Sequence, residues 1–266
     1  MSKSEVYNNS ESFNPKKYSK TFLSLSSDAE PLARELTRFR LQQLHEFYEQ
    51  HGPQLTGCRI LEYGGGPGHV YPLISAAPYA SEIVFAEYAE QNRKVAEEWR
   101  SNKSEALDLT PLFQHVVSSL ESNKDENAVE QRETSVRSLI TQIVPCDINE
   151  SDALRDVTLP FDVVSTHFCL VTAVASVEQY TLGLQKLARL LRPGGMIVMT
   201  ESIGGTFYRV EGKKLHNLHL GSTEVVQQSL VQAGFTNVSM KTMKRPPSEL
   251  NDIVEYAFVT AVLASA

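Results

Sequence analysis

The sequence predicts an α/β protein with a mainly parallel, seven-stranded sheet and helices on both faces. Short apolar runs, typical of buried strands, alternate with segments of helical periodicity along most of the chain. Such alternation is typical of a parallel sheet whose crossover connections are helices. The chain has 266 residues, of which 41% are apolar, enough for one large domain with a sizeable core. We therefore expect a single domain over residues 1–266, with N-terminal helices over 1–52 and the sheet core over 53–266.

The first half of the chain begins with a helix predicted over Ser27–Gly52. Ser27 and Glu30 have capping-box spacing, and leucine and phenylalanine recur at helical intervals after them. The next elements are a strand over Cys58–Tyr63, a glycine loop, a helix over Val70–Ala77, a strand over Glu82–Glu87, a helix over Glu90–Arg100 and a helix-prone stretch over Leu107–Leu139. That stretch contains the charge run "ESNKDENAVEQRE", which indicates a solvated face or loop.

The second half continues the alternation. It contains strands over Ile140–Ile148, Phe161–Phe168 and Met196–Ile203, a helix over Ser176–Leu191 stopped by "RPGG", two short strands within Thr206–Leu220 around "VEGKK", a helix over Ser222–Ala233, and strands over Val238–Met243 and Tyr256–Leu263. Ligands of such sheets bind at the carboxyl ends of the strands. One edge is therefore expected to hold the glycine loop, Glu87, Asp147, the segment after Phe168, and Glu201.

Composition argues against several classes of partner. The net charge is −7 and basic residues form no stripe, whereas nucleic-acid binding needs clustered Lys and Arg. Cys58, Cys146 and Cys169 are few, odd in number and widely spaced, which favours reduced thiols over zinc or disulfides. The polar start "MSKSEVYNNSESFNPKK" does not resemble a signal peptide, and no apolar run approaches the roughly 20 residues of a membrane span. A monomeric cytoplasmic protein is expected.

The stretch "LEYGGGPGHV", Leu61–Val70, places four glycines directly after an apolar strand. Its spacing fits neither the dinucleotide pattern G-x-G-x-x-G nor a phosphate-binding P-loop, which needs Gly-Lys-Ser/Thr. An acidic residue, Glu62, precedes G-x-G-P-G, in which Gly64 and Gly66 are the first two glycines. The loop is either a plain strand-to-helix turn or a place where a ligand approaches the backbone closely.

Acidic residues at the ends of the next two strands suggest a nucleoside. Glu87, in "FAEY", lies twenty-odd residues beyond the glycines, where a carboxylate can accept from both ribose hydroxyls. Asp147 of "PCDI" is suited to an adenine amino group, with Ile148 packing on the ring. Glu87 is alternatively a surface charge, and Asp147 a helix cap. Together, the glycine loop and Glu87 indicate an adenosine-containing cofactor.

The acidic Glu62 and Pro67 suit a pyrophosphate poorly, which disfavours nicotinamide dinucleotides. They suit S-adenosylmethionine better, because it has no phosphate and carries a cationic amino group and sulfonium. No H-x-x-E or cysteine cluster suggests a metal. A nicotinamide-dependent oxidoreductase on a similar sheet remains an alternative, although the third glycine of its motif is missing.

Seven segments in fixed order resemble the small-molecule N-methyltransferases that include nicotinamide, phenylethanolamine, indolethylamine and thioether methyltransferases. They are "FNPKKY", "LEYGGGPGHVYPLISA", "EIVFAEYAEQNRKVAEEW", "CDI", "STHFCL", "LLRPGG" and "TFYRVEGKKLHNLHLG". The resemblance runs through nearly the whole chain. It implies a Rossmann-like class I methyltransferase fold with an N-terminal helical lid and a small hairpin cap near 204–221, S-adenosylmethionine as cofactor, and S-adenosylhomocysteine as product.

The resemblance also implies roles at matching positions. Tyr18 matches a tyrosine that closes over the cofactor, and Tyr208 matches a tyrosine of the substrate pocket. The remaining cofactor contacts are expected at Glu62, Gly64, Gly66, Tyr71, Glu87, Tyr88, Asn92, Asp147 and Ile148. The sequence departs from the family in three features: Glu62 replaces an aspartate, Phe22 and Leu23 stand where relatives have aromatic residues, and Val171 replaces an acidic residue that helps hold the substrate in several relatives.

The expected reaction is methyl transfer to the nitrogen of a small molecule, a pyridine-like compound or an amine, by direct in-line displacement. The catalytic candidates are Tyr18, Glu201 and Tyr208, and substrate contacts are expected from Glu201, Tyr208 and Asn217. Glu201 ends the fifth strand and is alternatively an exposed strand-end carboxylate. His167 is either a packed core residue or a pocket base. Val171 replaces the acidic residue that helps hold the substrate in several relatives. The alternative is therefore a protein that binds the cofactor but does not catalyse methyl transfer.

Overall fold

The computed structural model of the chain describes residues 14–25, 30–67, 70–210, 212–246 and 248–265. Ser27 of the predicted capping box and Gly68 of the glycine loop lie outside these ranges. The chain forms two compact units, of which the first is Asn14–Pro145 and the second has its described part from Cys146 onward. Both units contribute strands to a seven-stranded sheet, and each has helices of its own.

The N-terminal unit contributes three parallel strands, in the order β3-β2-β1. Its elements are α1 (Pro15–Phe22), α2 (Pro31–Leu55), β1 (Cys58–Tyr63), β2 (Ala80–Ala86), α3 (Glu90–Arg100), α4 (Thr110–Gln114), α5 (Ala128–Leu139) and β3 (Ile140–Val144). The continuous apolar runs of β1 and β2 are buried, as expected for strands covered on both faces. Trp99 of α3 stacks on Phe113 of α4 with ring centroids 5.8 Å apart, and both rings are buried in the core of this unit.

The C-terminal unit contributes strands in the order β4-β5-β9-β8. Its elements are β4 (Phe161–His167), α6 (Cys169–Ala173), α7 (Val177–Ala188), β5 (Leu191–Ile203), β6 (Phe207–Val210), β7 (Lys213–His216), α8 (Thr223–Gln232), β8 (Phe235–Lys244) and β9 (Glu255–Leu263). β4 and β5 are parallel, and β9 pairs antiparallel with both β5 and β8. β6 and β7 form a separate antiparallel hairpin, at the position where the sequence predicts a small cap.

The helix predicted over Val70–Ala77 is wrong. The segment forms a short 3-10 turn, Tyr71–Leu73, followed by further turns to residue 79. Pro78 disfavours a helical conformation at Ala77, and too few residues remain before it to offset the cost of helix nucleation. All of residues 70–77 are buried, so the segment is held by packing rather than by a helical ladder.

Two other predicted helices have different limits. α2 begins at Pro31, because proline at the first helical position has no N–H that would need a partner. The Glu30 side chain caps the helix by accepting a hydrogen bond from the Ala33 amide at 2.8 Å. The stretch Leu107–Leu139 divides into α4, a π turn over His115–Leu120, and α5. Residues 122–127 are exposed as expected, but Glu133 is buried, so the charge run is only partly a solvated face.

Candidate active site

The glycine loop after β1 has backbone conformations that side chains rarely adopt. Gly64 has φ +73° and Gly66 has φ +58°, both in the left-handed region. Gly65 has a steric constraint instead, because a Cβ atom there would lie 2.2 Å from the ring of Phe85. The loop therefore requires glycine at three consecutive positions, two for their dihedral angles and one for space.

Glu87 follows β2, and its buried carboxylate holds the glycine loop through hydrogen bonds. It is buried, and its Oε2 accepts a hydrogen bond from the Gly66 amide at 2.9 Å. Its Oε1 accepts from the Ala89 amide at 2.9 Å and from Asn92 Nδ2 at 3.0 Å. Burial raises the pKa of Glu87, and these hydrogen bonds oppose the rise. Glu87 is thus not the exposed strand-end charge that was its alternative reading.

The Glu87 and Asn92 side chains retain acceptor capacity for a ligand. A carboxylate accepts about four hydrogen bonds, and Glu87 uses three, which leaves one lone pair on Oε2. Asn92 Oδ1 is buried and has no hydrogen-bond partner among the described residues. Because neighbouring acceptors of this kind match the two hydroxyl donors of a ribose, the residues present fit an adenosine-containing cofactor.

A second group of the N-terminal unit surrounds Tyr71, whose ring is buried. Tyr71 Oη accepts from the guanidinium of the buried Arg40 at 3.1 Å, and that guanidinium also lies 4.7 Å from the centroid of the ring. Burial raises the pKa of Tyr71, the Arg40 charge opposes the rise, and Glu62 and Tyr18 add to it. Tyr71, Glu62 and Tyr18 are therefore electrostatic neighbours.

The side chains of Glu62, Tyr18 and Tyr88 differ in solvent exposure. Glu62 is 1% exposed, and Tyr18, on α1, is half-buried with its ring 4.8 Å from that of Phe22. Tyr88, next to Glu87, is 44% exposed, unlike the other predicted cofactor residues of this unit. An exposed aromatic beside a buried carboxylate is suited to contact with a flat ring.

In the C-terminal unit, Asp147 and Ile148 form a turn rather than a strand end. Asp147 Oδ1 accepts from the Asn149 amide at 2.8 Å, which is a typical Asx turn, and Ile148 is buried. Lys186 Nζ donates to the Ile148 carbonyl at 2.7 Å and fixes the turn against α7. Asp147 Oδ2 makes no hydrogen bond with the described residues, so one oxygen remains for a ligand.

Glu201, near the end of β5, is a buried carboxyl and not an exposed strand-end carboxylate. It is 1% exposed, its Oε1 accepts from the Tyr180 hydroxyl at 3.2 Å, and its Oε2 has no hydrogen-bond partner among the described residues. Burial raises the pKa of Glu201 to about 8, and the Tyr180 hydrogen bond only partly opposes this. The group therefore changes charge near pH 8, so at neutral pH it is mostly protonated and can donate a hydrogen bond.

The structure does not bring Glu201 and Asn217 into one cluster. Asn217 Oδ1 accepts from Ser202 Oγ at 2.8 Å, and its Nδ2 donates to the carbonyls of Gly205 and Leu218 at 3.2 and 3.0 Å. Successive strand residues point to opposite faces, so Asn217 lies on the face opposite Glu201. Asn217 is engaged in holding the loop that follows β5, and a substrate would have to compete for it.

Tyr208 lies on the β6–β7 hairpin, half-buried and paired with Leu215. Asp252 fixes the base of this hairpin by accepting from the amide and hydroxyl of Thr206 at 2.8 and 2.6 Å. On the same hairpin, His216 Nε2 lies 3.2 Å from the Val174 carbonyl, so that nitrogen carries the proton and donates.

His167 has two hydroxyl partners at the end of β4. Its Nε2 lies 3.1 Å from Ser165 Oγ, and its Nδ1 lies 2.8 Å from Thr200 Oγ1. Thr200 and Ser202 share one face of β5, because they are two residues apart on the strand. His167 thus belongs to a polar strip on the same sheet face as Asn217.

Sequence reasoning missed Arg40 and Tyr180. Arg40 falls on the apolar stripe of α2, between Leu36 and Leu44, and a cation on such a stripe is a signal that could have been used. Tyr180 carries no such signal, since an aromatic residue on the buried face of a helix is usually core.

Among the described residues there is no group of three or more side chains that could hold a metal ion. In the same part of the chain, no helix is both long and apolar enough to cross a bilayer.

A solved structure of similar fold identifies the structural class of the chain. Magnesium protoporphyrin IX methyltransferase from Synechocystis PCC 6803, solved with bound SAM, matches with a TM-score of 0.58 over 98% of this chain and 97% of its own. The sequence identity is 11%, so this likeness shows the fold alone. The chain has the Rossmann-like fold of the class I S-adenosylmethionine-dependent methyltransferases.

The chain belongs to the NNMT/PNMT/TEMT family, whose model matches residues 3–261. Human nicotinamide N-methyltransferase is 29% identical over 225 residues, 84% of this chain and 82% of the relative. Mouse indolethylamine N-methyltransferase is 30% identical over 224 residues, 84% of this chain and 81% of the relative. The resemblance seen in the sequence is confirmed, and the chain is an S-adenosylmethionine-dependent N-methyltransferase of small molecules.

Proposed function

We propose that the chain methylates the nitrogen of a small neutral acceptor, with an aromatic azine preferred over an aliphatic amine. The observation that supports the cofactor half is the Glu87–Asn92 pair, whose buried acceptors match a ribose diol. When bound, S-adenosylmethionine supplies a methyl group attached to a sulfonium, and the thioether released on transfer is a good leaving group. Direct in-line displacement therefore needs neither a metal nor a covalent enzyme intermediate.

The residues of this chain then have four tasks. Gly64 and Gly66 allow the loop backbone to approach the cofactor, while Glu87 and Asn92 hold the ribose. Tyr18, on α1, covers the bound molecule and excludes water. Asp147 and Ile148 contact the adenine. Exclusion of water and correct orientation of the acceptor nitrogen supply most of the rate enhancement, because the leaving group is already good.

The proposal of a neutral acceptor is supported by the surroundings of Glu201 and Val171. Val171, where several relatives have an acid, is fully buried and apolar. Glu201 has a pKa raised to about 8, so near neutral pH it is mostly an uncharged acid. An ammonium group would find no fixed negative charge at either position, and its desolvation would be costly. A neutral ring with an amide or carbonyl substituent can instead accept a hydrogen bond from Glu201 or pack against Tyr208.

The test is release of S-adenosylhomocysteine across pyridines, primary amines, tryptamines and thioethers. We expect release with at least one neutral azine, and we expect loss of release in Glu87→Ala. Binding of S-adenosylmethionine without turnover of any compound would instead support the alternative, a methyltransferase-fold interaction protein without catalysis. Calorimetry on the same samples separates the two results, because it measures cofactor binding independently of turnover.

A further inference from the structure

The hydroxyl of Tyr180 makes one hydrogen bond among the described residues, and its partner is the carboxyl group of Glu201. Tyr180 lies on α7 with its side chain fully buried, and its Oη donates to Glu201 Oε1 at 3.2 Å. If this hydroxyl only accepted a hydrogen bond, its own O–H would be buried without a partner, which is costly. Tyr180 is therefore the donor of the pair, and Oε1 is the acceptor.

The direction of this hydrogen bond locates the proton of Glu201. Near neutral pH the carboxyl is mostly protonated, because burial raises its pKa to about 8. One oxygen of a protonated carboxyl carries the O–H, and the other is free to accept. Since Oε1 accepts from Tyr180, the O–H lies on Oε2, which has no partner among the described residues.

The neighbours of Glu201 on the adjacent strands do not titrate. Ala257 of β9 is directly opposite Glu201. Thr166 of β4 pairs with Met199, two residues before Glu201, and so lies on the same face of the sheet. Burial raises the pKa of Glu201 and the Tyr180 hydrogen bond lowers it, and no charged side chain of the described residues adds to either effect. Tyr180 is therefore the side chain through which the state of this carboxyl can be changed.

We propose that Tyr180 is the positioning residue of Glu201: it holds Oε1, confines the proton to Oε2, and makes Glu201 a hydrogen-bond donor to the acceptor. The inference rests on the proposed function in one respect, the contact between Glu201 and the acceptor. A fixed donor favours an aromatic ring with a carbonyl substituent, such as a carboxamide, over the unsubstituted ring, which leaves the donor without a partner.

The first test needs no turnover. Tyr180→Phe keeps the buried ring and removes the hydroxyl. Because a donated hydrogen bond favours the carboxylate, its loss should raise the pKa of Glu201. The upper end of the pH range in which the chain loses stability should therefore move up by about one to two pH units. Urea midpoints of the full chain between about pH 5 and pH 10 measure this, with parent and Tyr180→Phe each compared with its own Glu201→Gln version to cancel other titrations.

Tyr256→Phe is the matched control. The Tyr256 hydroxyl is also buried, and it accepts from the Arg245 guanidinium at 2.9 Å. Tyr256 is opposite Ser202 in the sheet, so it lies on the face away from Glu201. Its loss should lower stability to the same extent at every pH. A purely structural role of Tyr180 would have that same uniform effect.

The second test uses turnover of unsubstituted pyridine and of its 3-carboxamide. In Tyr180→Phe, the decrease in kcat/KM for the carboxamide at alkaline pH should move up by the same interval as the stability range. At neutral pH the preference for the carboxamide over pyridine should fall about fivefold, the effect of one hydrogen bond, because the proton is no longer confined to Oε2. Tyr256→Phe should keep the preference of the parent.

Two results would overturn the proposal. One is a stability range with the same upper end in parent and Tyr180→Phe, which would show that Tyr180 does not act on Glu201. The other is a shifted range with an unchanged carboxamide preference, which would show that Glu201 does not donate to the acceptor. If the parent methylates no acceptor at all, the proposed function fails, and the urea midpoints still decide whether Tyr180 positions Glu201.

Discussion

At the scale of single residues, Glu87 combines a structural role with a proposed role in cofactor binding. Its carboxylate accepts a hydrogen bond from the Gly66 amide and so fixes the glycine loop, and the same carboxylate is the proposed ribose acceptor. Glutamine cannot replace it in either function, because one carboxamide position is an NH₂ group. That NH₂ would face an amide donor on either side, from Gly66 or from Ala89.

We predict that Glu87→Gln and Glu87→Ala weaken S-adenosylmethionine binding roughly ten- to 150-fold, the effect of about 1.5–3 kcal/mol for a hydrogen bond to a charged group. Calorimetry on variants shown to be folded by circular dichroism measures this. Glu90→Gln, on the exposed first turn of α3, is the matched control and should bind normally. Unchanged affinity in Glu87→Ala would exclude Glu87 from the cofactor site.

Glu201 makes stability depend on pH. Burial raises its pKa to about 8 from an ordinary 4.5, so the folded chain favours the protonated form. A carboxyl with a raised pKa contributes stability that is complete below the unfolded pKa and is lost as the pH rises through the folded pKa. The loss therefore falls between about pH 4.5 and pH 8.

We predict that Glu201→Gln removes this loss, because a carboxamide does not titrate and can still accept from the Tyr180 hydroxyl. Between about pH 5 and pH 9, the parent should lose roughly 1–4 kcal/mol of unfolding free energy relative to the variant. Urea midpoints across that range measure it, with the exposed Glu249→Gln as the control. Parallel pH curves for parent and Glu201→Gln would show that Glu201 does not titrate in this window.

At the scale of elements, α1 is held in place by hydrogen bonds at both ends. The carbonyl of Phe22, its last residue, accepts from Thr37 Oγ1 at 3.3 Å and from the Arg40 guanidinium at 3.2 Å. At the other end, Lys16 Nζ donates to the Glu105 carbonyl. Arg40 also contacts Tyr71, so one buried cation links α1 to the segment that follows the glycine loop. These contacts fix the position of the helix that carries Tyr18, the residue proposed to cover the ligand.

We predict that S-adenosylhomocysteine slows proteolytic cleavage over residues 13–23, because a lid that covers the ligand opens less often. Limited proteolysis with mass spectrometry identifies the cleavage sites. Glu87→Ala is the control, since it should lose both binding and protection. Equal cleavage with and without ligand in the parent chain would contradict a lid.

At the scale of the whole molecule, the acceptor determines how the rate depends on pH. A pyridine with a pKa well below 7 is already a free nucleophile, whereas an aliphatic amine near pKa 10, like lysine, must first lose a proton. The apolar Val171 and the largely uncharged Glu201 both favour the neutral class.

We predict that kcat/KM for the best acceptor does not rise from neutral to mildly alkaline pH, and that it decreases as Glu201 loses the proton it donates to the acceptor, near pH 8. For an amine whose neutral form alone reacts, it would rise about tenfold per pH unit. Rates between pH 7 and pH 9 decide this, after correction for the stability change due to Glu201. A steep alkaline rise with primary amines preferred would rule out the azine and leave the amine as acceptor.

Local sequence determined the elements whose signals lie within a few residues. β1 and α3 have the predicted limits, because a continuous apolar run and a helical repeat are complete within one element. The order and spacing of the motifs along the chain were specific enough to indicate the family. The prediction of a helix over Val70–Ala77 was wrong. The local pattern favoured a helix, but Pro78 and the complete burial of the segment favoured a series of turns.

The surroundings of the candidate residues were decided only by the tertiary structure. Tyr180 and Glu201 are 21 positions apart, as are Gly66 and Glu87, and no local pattern shows that they are hydrogen-bonded. The sequence placed Glu201 and Asn217 in one pocket, but the alternation of side chains along β5 and the Ser202 hydrogen bond place them on opposite faces. Residue type alone determines which groups can accept, donate or titrate. Burial and partners, which long-range packing sets, decide which of them are available and at what pH.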